Sequence, residues 1–548
     1  MDDIFLQCEP DDWPQLMELI TSALARAGLQ CRPDKSHCHI PALPPTEASR
    51  LASNFAQFAQ RHPEGLPALG SVADGQFALT LHRPSPALQP GPHPPAAEAE
   101  QRLQNAFALA ANLDELITTP QRGVSRHPAW RLLSGVVNHA LSYDASVTDP
   151  GTLLPYGHRL DQAVMTCAQK ILDIAPPCDT TTMTQLRLSR DTGGCGLRSA
   201  AERCHTAFLA TVVRLGRCGP EVSPWLQHAT TTAIHGLHAL GLTLDHYAMP
   251  HPRNTPPANP FSIALLRPPL PKRQRSWWTC LDTLRRSQLG PPNSIIERRI
   301  HSCGGPEGGA FILATRADGV RSLPDAFFGT AMRYRLGLPL MPTCSCFHHT
   351  PAKPGVAPRR CGAVADQNGE HAINCKVGGA PYAAHGEGCH ILLNAETAAG
   401  FQARREQVIP ELATQKCASP QLDIEGWGLQ GQPRSLVYFT IRNPLARRYE
   451  KQSTEALASE EKETAYPRKQ GLCVTVASIE TFGRHSKELR NLLAYLADLA
   501  RQRQTSFGQS PSRWLRRWRA QLSSCLAHFV GRAVQQARHP PSPSVAAP

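Results

Sequence analysis

Apolar and polar positions along the 548 residues fall into stretches that differ in kind. Between residues 1 and 42 the pattern predicts strand, helix, strand. Asp2-Asp3-Ile4-Phe5-Leu6 has strand character, and Lys35-Ser36-His37-Cys38-His39-Ile40 returns as a short strand. Between them Leu16, Leu19, Ile20, Ala23, Leu24 and Ala27 recur at helical spacing, with Asp12 and Pro14 placed to start the helix and Gly28 to stop it. From about 99 to 247 the period is helical. One stripe is Leu103, Phe107, Ala110 and Leu113, and another is Leu132, Leu133, Val136, Val137 and Leu141. Gly193-Gly194-Cys195-Gly196 breaks this region with a turn that Cβ atoms would block. Further on, 395–411 reads as helix, and Leu436 to Ile441 reads as a strand.

Proline punctuates the chain at 83–97 and again at 250–271. The breaks divide it into 1–82, a linker at 83–98, a helical region at 99–247, a linker and basic connector at 248–340, a cysteine-rich segment at 341–390, a mixed α/β segment at 391–505 and a basic tail at 506–548. No internal repeat is present. The fold class this implies is multidomain α+β.

Composition changes the picture in two ways. The formal net charge of +13 suits a polyanionic partner, RNA or DNA, and equally a basic soluble protein. The 18 cysteines are scattered rather than packed as in a secreted disulfide scaffold. Met1-Asp2-Asp3 is acidic where a secretory leader would be basic, and no apolar run approaches the roughly 20 residues of a membrane span. A reducing compartment, nuclear or cytoplasmic, is the expectation.

Candidate chemistry centres on Cys344, Cys346, Cys361, His371 and Cys375. Thiolates and an imidazole so close in sequence are what a tetrahedral Zn²⁺ requires. Four ligands suffice, and the preferred set is Cys346, Cys361, His371 and Cys375, with Cys344 as the substitute for Cys346. His348, His349 and His385 are weaker candidates. Buried free thiols are the alternative. Lys272, Arg273 and Arg275 beside Trp277 and Trp278 combine charge with stacking faces, as a nucleic-acid contact does, unless the two indoles anchor a core. Arg513, Arg516 and Arg517 lie among Trp514 and Trp518, which share a helix face at i, i+4. That tail is a nucleic-acid contact or a helix docked by its indoles.

Asp2-Asp3, the following helix, Gly28-Leu29 and Lys35 resemble the end of a reverse-transcriptase palm, whose Tyr-x-Asp-Asp hairpin holds catalytic Mg²⁺. Ala129 to Leu133, Leu160-Asp161, Gly193 to Ala200 with Arg198, Ser302 to Gly305 and Arg333 to Pro339 resemble the thumb and the region before the Cys/His motif of non-LTR retrotransposon polymerases. Individually these read as packing residues, and Arg198 as a surface arginine. Glu406, Leu422-Asp423-Ile424, Asn443-Pro444, Lys462 with Tyr466 and Ile479 to Gly483 resemble the restriction-enzyme-like endonuclease that follows in that family.

The resemblance implies the C-terminal part of an RNA-directed DNA polymerase: a truncated palm, a helical thumb, a zinc motif and an α/β endonuclease domain. Asp2 and Asp3 would be polymerase ligands, and Glu406, Asp423 and Lys462 would be the nuclease residues around Mg²⁺. The same alignment puts Tyr438 where the second nuclease aspartate belongs. A phenol with a pKa near 10 does not replace a carboxylate as a hard-metal ligand at neutral pH. The expectation is therefore no polymerisation by this chain and weak or absent cleavage. The other expectation is a zinc-containing binding protein or relic reading frame without catalysis.

Overall fold

A computed structural model describes residues 95–118, 125–215, 224–242, 274–350, 359–414, 418–429, 431–450, 452–466, 472–503 and 510–539, with short strands at His37–Cys38, Gln60–Arg61, Gly65–Ala68 and Ser71–Asp74. The strand expected around 35–40 is present as His37–Cys38, paired in parallel with Gln60–Arg61. Asp2, Asp3, the first predicted helix, Lys272 and Arg273 lie outside the described residues. The described chain is mixed α+β, largely helical, with one four-stranded sheet and three two-stranded ones. It forms two compact units, one of 1–110, 136–164 and 199–281, the other of 111–135, 165–198 and 282–548.

Apart from its short strands, the first unit is helical where it is described. Helix Ala200–Leu215 buries Phe208, Leu209 and Val212 against Ile234 and Leu237 of helix Pro224–Ala239. Trp277 and Trp278 of helix Gln274–Gln288 join this core, 0% and 7% exposed. The expectation that they offer stacking faces to nucleic acid is thereby corrected: both indoles are core anchors, because large apolar surface is best removed from water here. Asp161 caps helix Ala200–Leu215, accepting the Ala200 N–H at 2.6 Å. Gly157 lets the two backbones meet, since a Cβ there would lie 2.8 Å from Ala201 Cα.

In the second unit the turn at Gly193 and Gly196 is as expected, with φ of 98° and 84°. Arg198 is not a free surface cation. Its guanidinium pairs with the buried Asp282 carboxylate, which a desolvated acid requires. Of the predicted stripe near 132, which runs across both units, Leu133, Val137 and Leu141 are buried, whereas Leu132 and Val136 are exposed. The region expected as a connector holds helices Ile295–Ser302 and Asp325–Leu336, each with buried side chains.

The cysteine-rich segment supplies strands β1 (Cys344–Ser345) and β2 (Val364–Ala365) and helix α1 (Glu370–Asn374). Helix α2 (Ala380–Ala399) leads into the sheet, built of β3 (Gln402–Val408), β4 (Gln421–Trp427), β5 (Ser435–Arg442) and β6 (Val474–Glu480). The order is β6-β5-β4-β3. The first three strands form an antiparallel meander, and β6 returns parallel to β5. A parallel return needs a crossover, and α3 (Thr454–Ala465) lies in it.

Helices α2, α4 (Lys487–Gln502) and α5 (Pro511–Arg538) bury Leu392, Leu493, Leu496, Trp514 and Trp518 with Ile424, Val437, Phe439, Ala477 and Ile479 of the sheet. The expected basic tail is thus a 28-residue helix whose indoles dock into the core. Helix 395–411 is also corrected. Gly400, at φ 103°, ends α2, and the residues bearing Glu406 continue as the edge strand β3.

Candidate metal centre

The Cys/His site is assembled by a small hairpin and a short helix. Cys344 pairs with Ala365 and Ser345 with Val364 across β1 and β2. Beyond the ladder, Cys346 donates its N–H to Ala363 at 2.8 Å and Cys361 donates to His348 at 2.7 Å, which folds both thiols to one end. Asp366 accepts from the N–H groups of Glu370 and His371 at 3.1 and 2.8 Å, fixing the start of α1. Cys375 closes α1 as its last cap. Ligand atoms of Cys346, Cys361, His371 and Cys375 all lie within 4.8 Å of one another. Cys361 Sγ is 3.4 Å from His371 Nε2, near the edge length of about 3.5 Å in a tetrahedral N/S zinc site.

This is the preferred set from the sequence. Cys344, paired within the hairpin, is not in the cluster. His348 is buried and occupied elsewhere, its Nε2 2.9 Å from the Ala533 carbonyl of α5.

The three thiols are held unequally. Burial pushes Cys346 up to about 12 and raises Cys375, whereas the Ala363 backbone hydrogen bond lowers Cys361. Two thiols that resist ionisation beside a third that favours it suit a site where a divalent cation supplies the compensating charge. The donor set therefore fits structural zinc. Around it Arg359, Arg360 and Lys376 are exposed, with the Arg360 guanidinium stacked 4.0 Å from the Phe347 ring centroid.

The remaining predicted residues are dispersed. Glu406 sits on β3 at φ 54°, its carboxylate two-thirds exposed and 3.3 Å from Arg405. Asp423 lies where β4 and β5 part: the ladder ends at Ile424 with Val437, and the Asp423 Oδ2 accepts the Phe439 N–H at 2.7 Å. Lys462 of α3 rests its Nζ 3.6 Å from the Tyr438 ring centroid and 5.3 Å from that of Tyr466. Tyr438 thus engages the lysine through its ring face. Arg275 and Arg513 are exposed. Arg516 pairs with Asp318 at 3.1 Å, and Arg517 packs 5.1 Å from the Trp518 centroid.

The groups that gather at Asp423 are ones the sequence reading missed or ranked low. His385 and Cys389 of α2 place ligand atoms within 4.8 Å of the Asp423 carboxylate and of each other. Their spacing, His-x3-Cys, repeats that of His371 and Cys375, and this was the available signal.

Comparison with protein-family models and with curated proteins finds no match to this chain. Among the described residues no helix is long and apolar enough to cross a membrane.

Proposed function

We propose that this chain is a nucleic-acid-binding protein with structural Zn²⁺, derived from the C-terminal part of a non-LTR retrotransposon RNA-directed DNA polymerase. One observation carries the binding reading: beside the Cys346, Cys361, His371 and Cys375 cluster, Arg359 and Arg360 of the hairpin and Lys376 after α1 are exposed to solvent. A zinc-clamped loop holds such cations in register for phosphates at little entropic cost. The net charge of +13 supports the same partner class, RNA or DNA.

The ordered series of retrotransposon-like motifs supports the ancestry, and the α/β sheet that carries Asp423 supports an endonuclease-derived domain. Catalysis is the weaker part of the inheritance. Asp423 has one oxygen engaged by a backbone N–H, Lys462 is engaged by Tyr438, and Glu406 stands on an edge strand facing solvent. Mg²⁺ chemistry needs several oxygen ligands converging on one point. Robust Mg²⁺-dependent nicking that Asp423→Ala abolishes would overturn this part of the proposal.

The test of binding is fluorescence anisotropy with single-stranded RNA and duplex DNA over a salt series. Affinity is expected to fall linearly in log–log form, and the triple change Arg359→Ala, Arg360→Ala, Lys376→Ala is expected to weaken it roughly tenfold or more and flatten the slope by about 2–3. Zinc-loaded protein that binds neither polymer at low salt would reject the reading. A product that neither binds zinc nor resists proteolysis would favour the relic reading frame.

A further inference from the structure

The parted end of β4 and β5 holds a second group of convergent donors, outside the Cys/His hairpin. His385 and Cys389 stand one turn apart on α2, and Asp423 faces them from β4. Cys389 Sγ is 3.9 Å from His385 Nε2, and the same Nε2 is 3.4 Å from Asp423 Oδ1. A tetrahedral ion with nitrogen, sulfur and oxygen ligands has edges of about 3.3–3.6 Å. These donors therefore reach that spacing with shifts of a few tenths of an ångström.

The backbone of one residue, Phe439, touches two of the three. The Phe439 N–H donates to Asp423 Oδ2, which leaves Oδ1 toward the cluster. His385 Nε2 also lies 3.0 Å from the Phe439 carbonyl, a hydrogen bond that an ion on Nε2 would replace. Cys389 is buried against the core, while the side chains of His385 and Asp423 are 36% and 17% exposed. An ion bound here would be fixed from the protein side and open to solvent at its fourth position.

We propose that His385, Cys389 and Asp423 form a second metal site, selective for a borderline or soft divalent ion such as Zn²⁺ or Co²⁺ rather than Mg²⁺. Thiolate and imidazole select against Mg²⁺, which demands an oxygen octahedron. Asp423 would thus serve an open three-ligand transition-metal site instead of the Mg²⁺ site implied by the nuclease resemblance. This inference is independent of nucleic-acid binding and stands on the donor geometry alone.

The test is Co²⁺ titration of the metal-free full-length chain, followed by near-UV and visible absorption, with total metal checked by elemental analysis. Two equivalents are expected. The first, at the Cys346, Cys361, His371 and Cys375 site, gives sulfur-to-cobalt absorption from three thiolates. The second adds roughly one third as much near-UV intensity, since it contributes one thiolate.

His385→Gln, Cys389→Ser and Asp423→Asn preserve size, and the first and last preserve the bonds to Phe439. Each is expected to lose the second equivalent only, whereas Cys361→Ser loses the first. Cys473→Ser removes the exposed thiol and is expected to change nothing. Binding of one equivalent by the wild-type chain would overturn the proposal, whatever the variants do. A second equivalent that survives all three changes would overturn it too.

Discussion

Glu396 brings a carboxylate into the apolar core beneath the sheet, 1% exposed. Its Oε1 accepts from the Ser435 hydroxyl at 2.6 Å, and its Oε2 has no hydrogen-bond partner. Burial raises its pKa from 4.5 to about 7. The folded state therefore holds a proton that the unfolded chain releases earlier, and stability contributed by the neutral acid is present below pH 4.5. It is lost as pH rises towards 7, by about 3 kcal/mol in all. Glu396→Gln should remove this slope. Urea unfolding at pH 5 and pH 8 checks it, with the variant gaining on the wild type at pH 8 and not at pH 5. At the same scale, Cys361→Ser should abolish zinc retention at the hairpin site, while Cys344→Ser should leave it intact. The two cysteines of Cys344-x-Cys346 are equivalent in sequence. Only the hairpin register separates them, since Cys344 is spent in the ladder and Cys346 follows it.

At the scale of elements, legibility tracked how much of a segment is buried. Soft donors at short spacing announced the hairpin site because few other arrangements use them. The indoles of α5 announced a helix face, which the core then claimed. Strand β3 was unreadable as a strand because it is an edge. Its residues alternate between exposed and half-buried, with Arg404, Arg405 and Glu406 in sequence, so no apolar period of two survives. The stop at Gly400 was the visible clue. His385 and Cys389 stayed hidden because their partner, Asp423, is brought from another element, and no local pattern encodes that meeting.

Two changes probe this packing. Trp518→Ala should cost about 3–5 kcal/mol by emptying the space between α5 and the sheet. Gly388→Ala should cost about 1–3 kcal/mol, since its Cβ would lie 2.4 Å from the Phe439 ring. Chemical denaturation of each variant measures both, and a neutral Gly388→Ala would mean that α2 approaches the sheet less closely than described.

Across the whole molecule, long-range charge and metal occupancy set the expected behaviour. The excess of 57 basic over 44 acidic residues predicts association with polyanions that weakens steeply with salt. Zinc held at the Cys346, Cys361, His371 and Cys375 cluster would couple binding to folding, so chelation should lower the thermal midpoint of the second unit, and added zinc should restore it. Differential scanning calorimetry with and without chelator is the check, and an unchanged trace would mean the cluster is not a structural site.

Helix α5 has a consequence for how this unit comes into being. Its Ser523 Oγ accepts from the Phe311 N–H, its Ala533 and Ala537 carbonyls face His348 Nε2 and the Phe347 N–H of the hairpin, and its Trp514 and Trp518 sit under the sheet. Each of these partners precedes it in the chain. On a translating ribosome, at about 5–20 residues per second, the sheet and the hairpin are therefore exposed for seconds before the segment that covers them emerges. Closure of this unit waits for α5, and a premature stop before Pro511 would release a chain with its apolar sheet face bare and its hairpin unanchored, a substrate for chaperones and proteases.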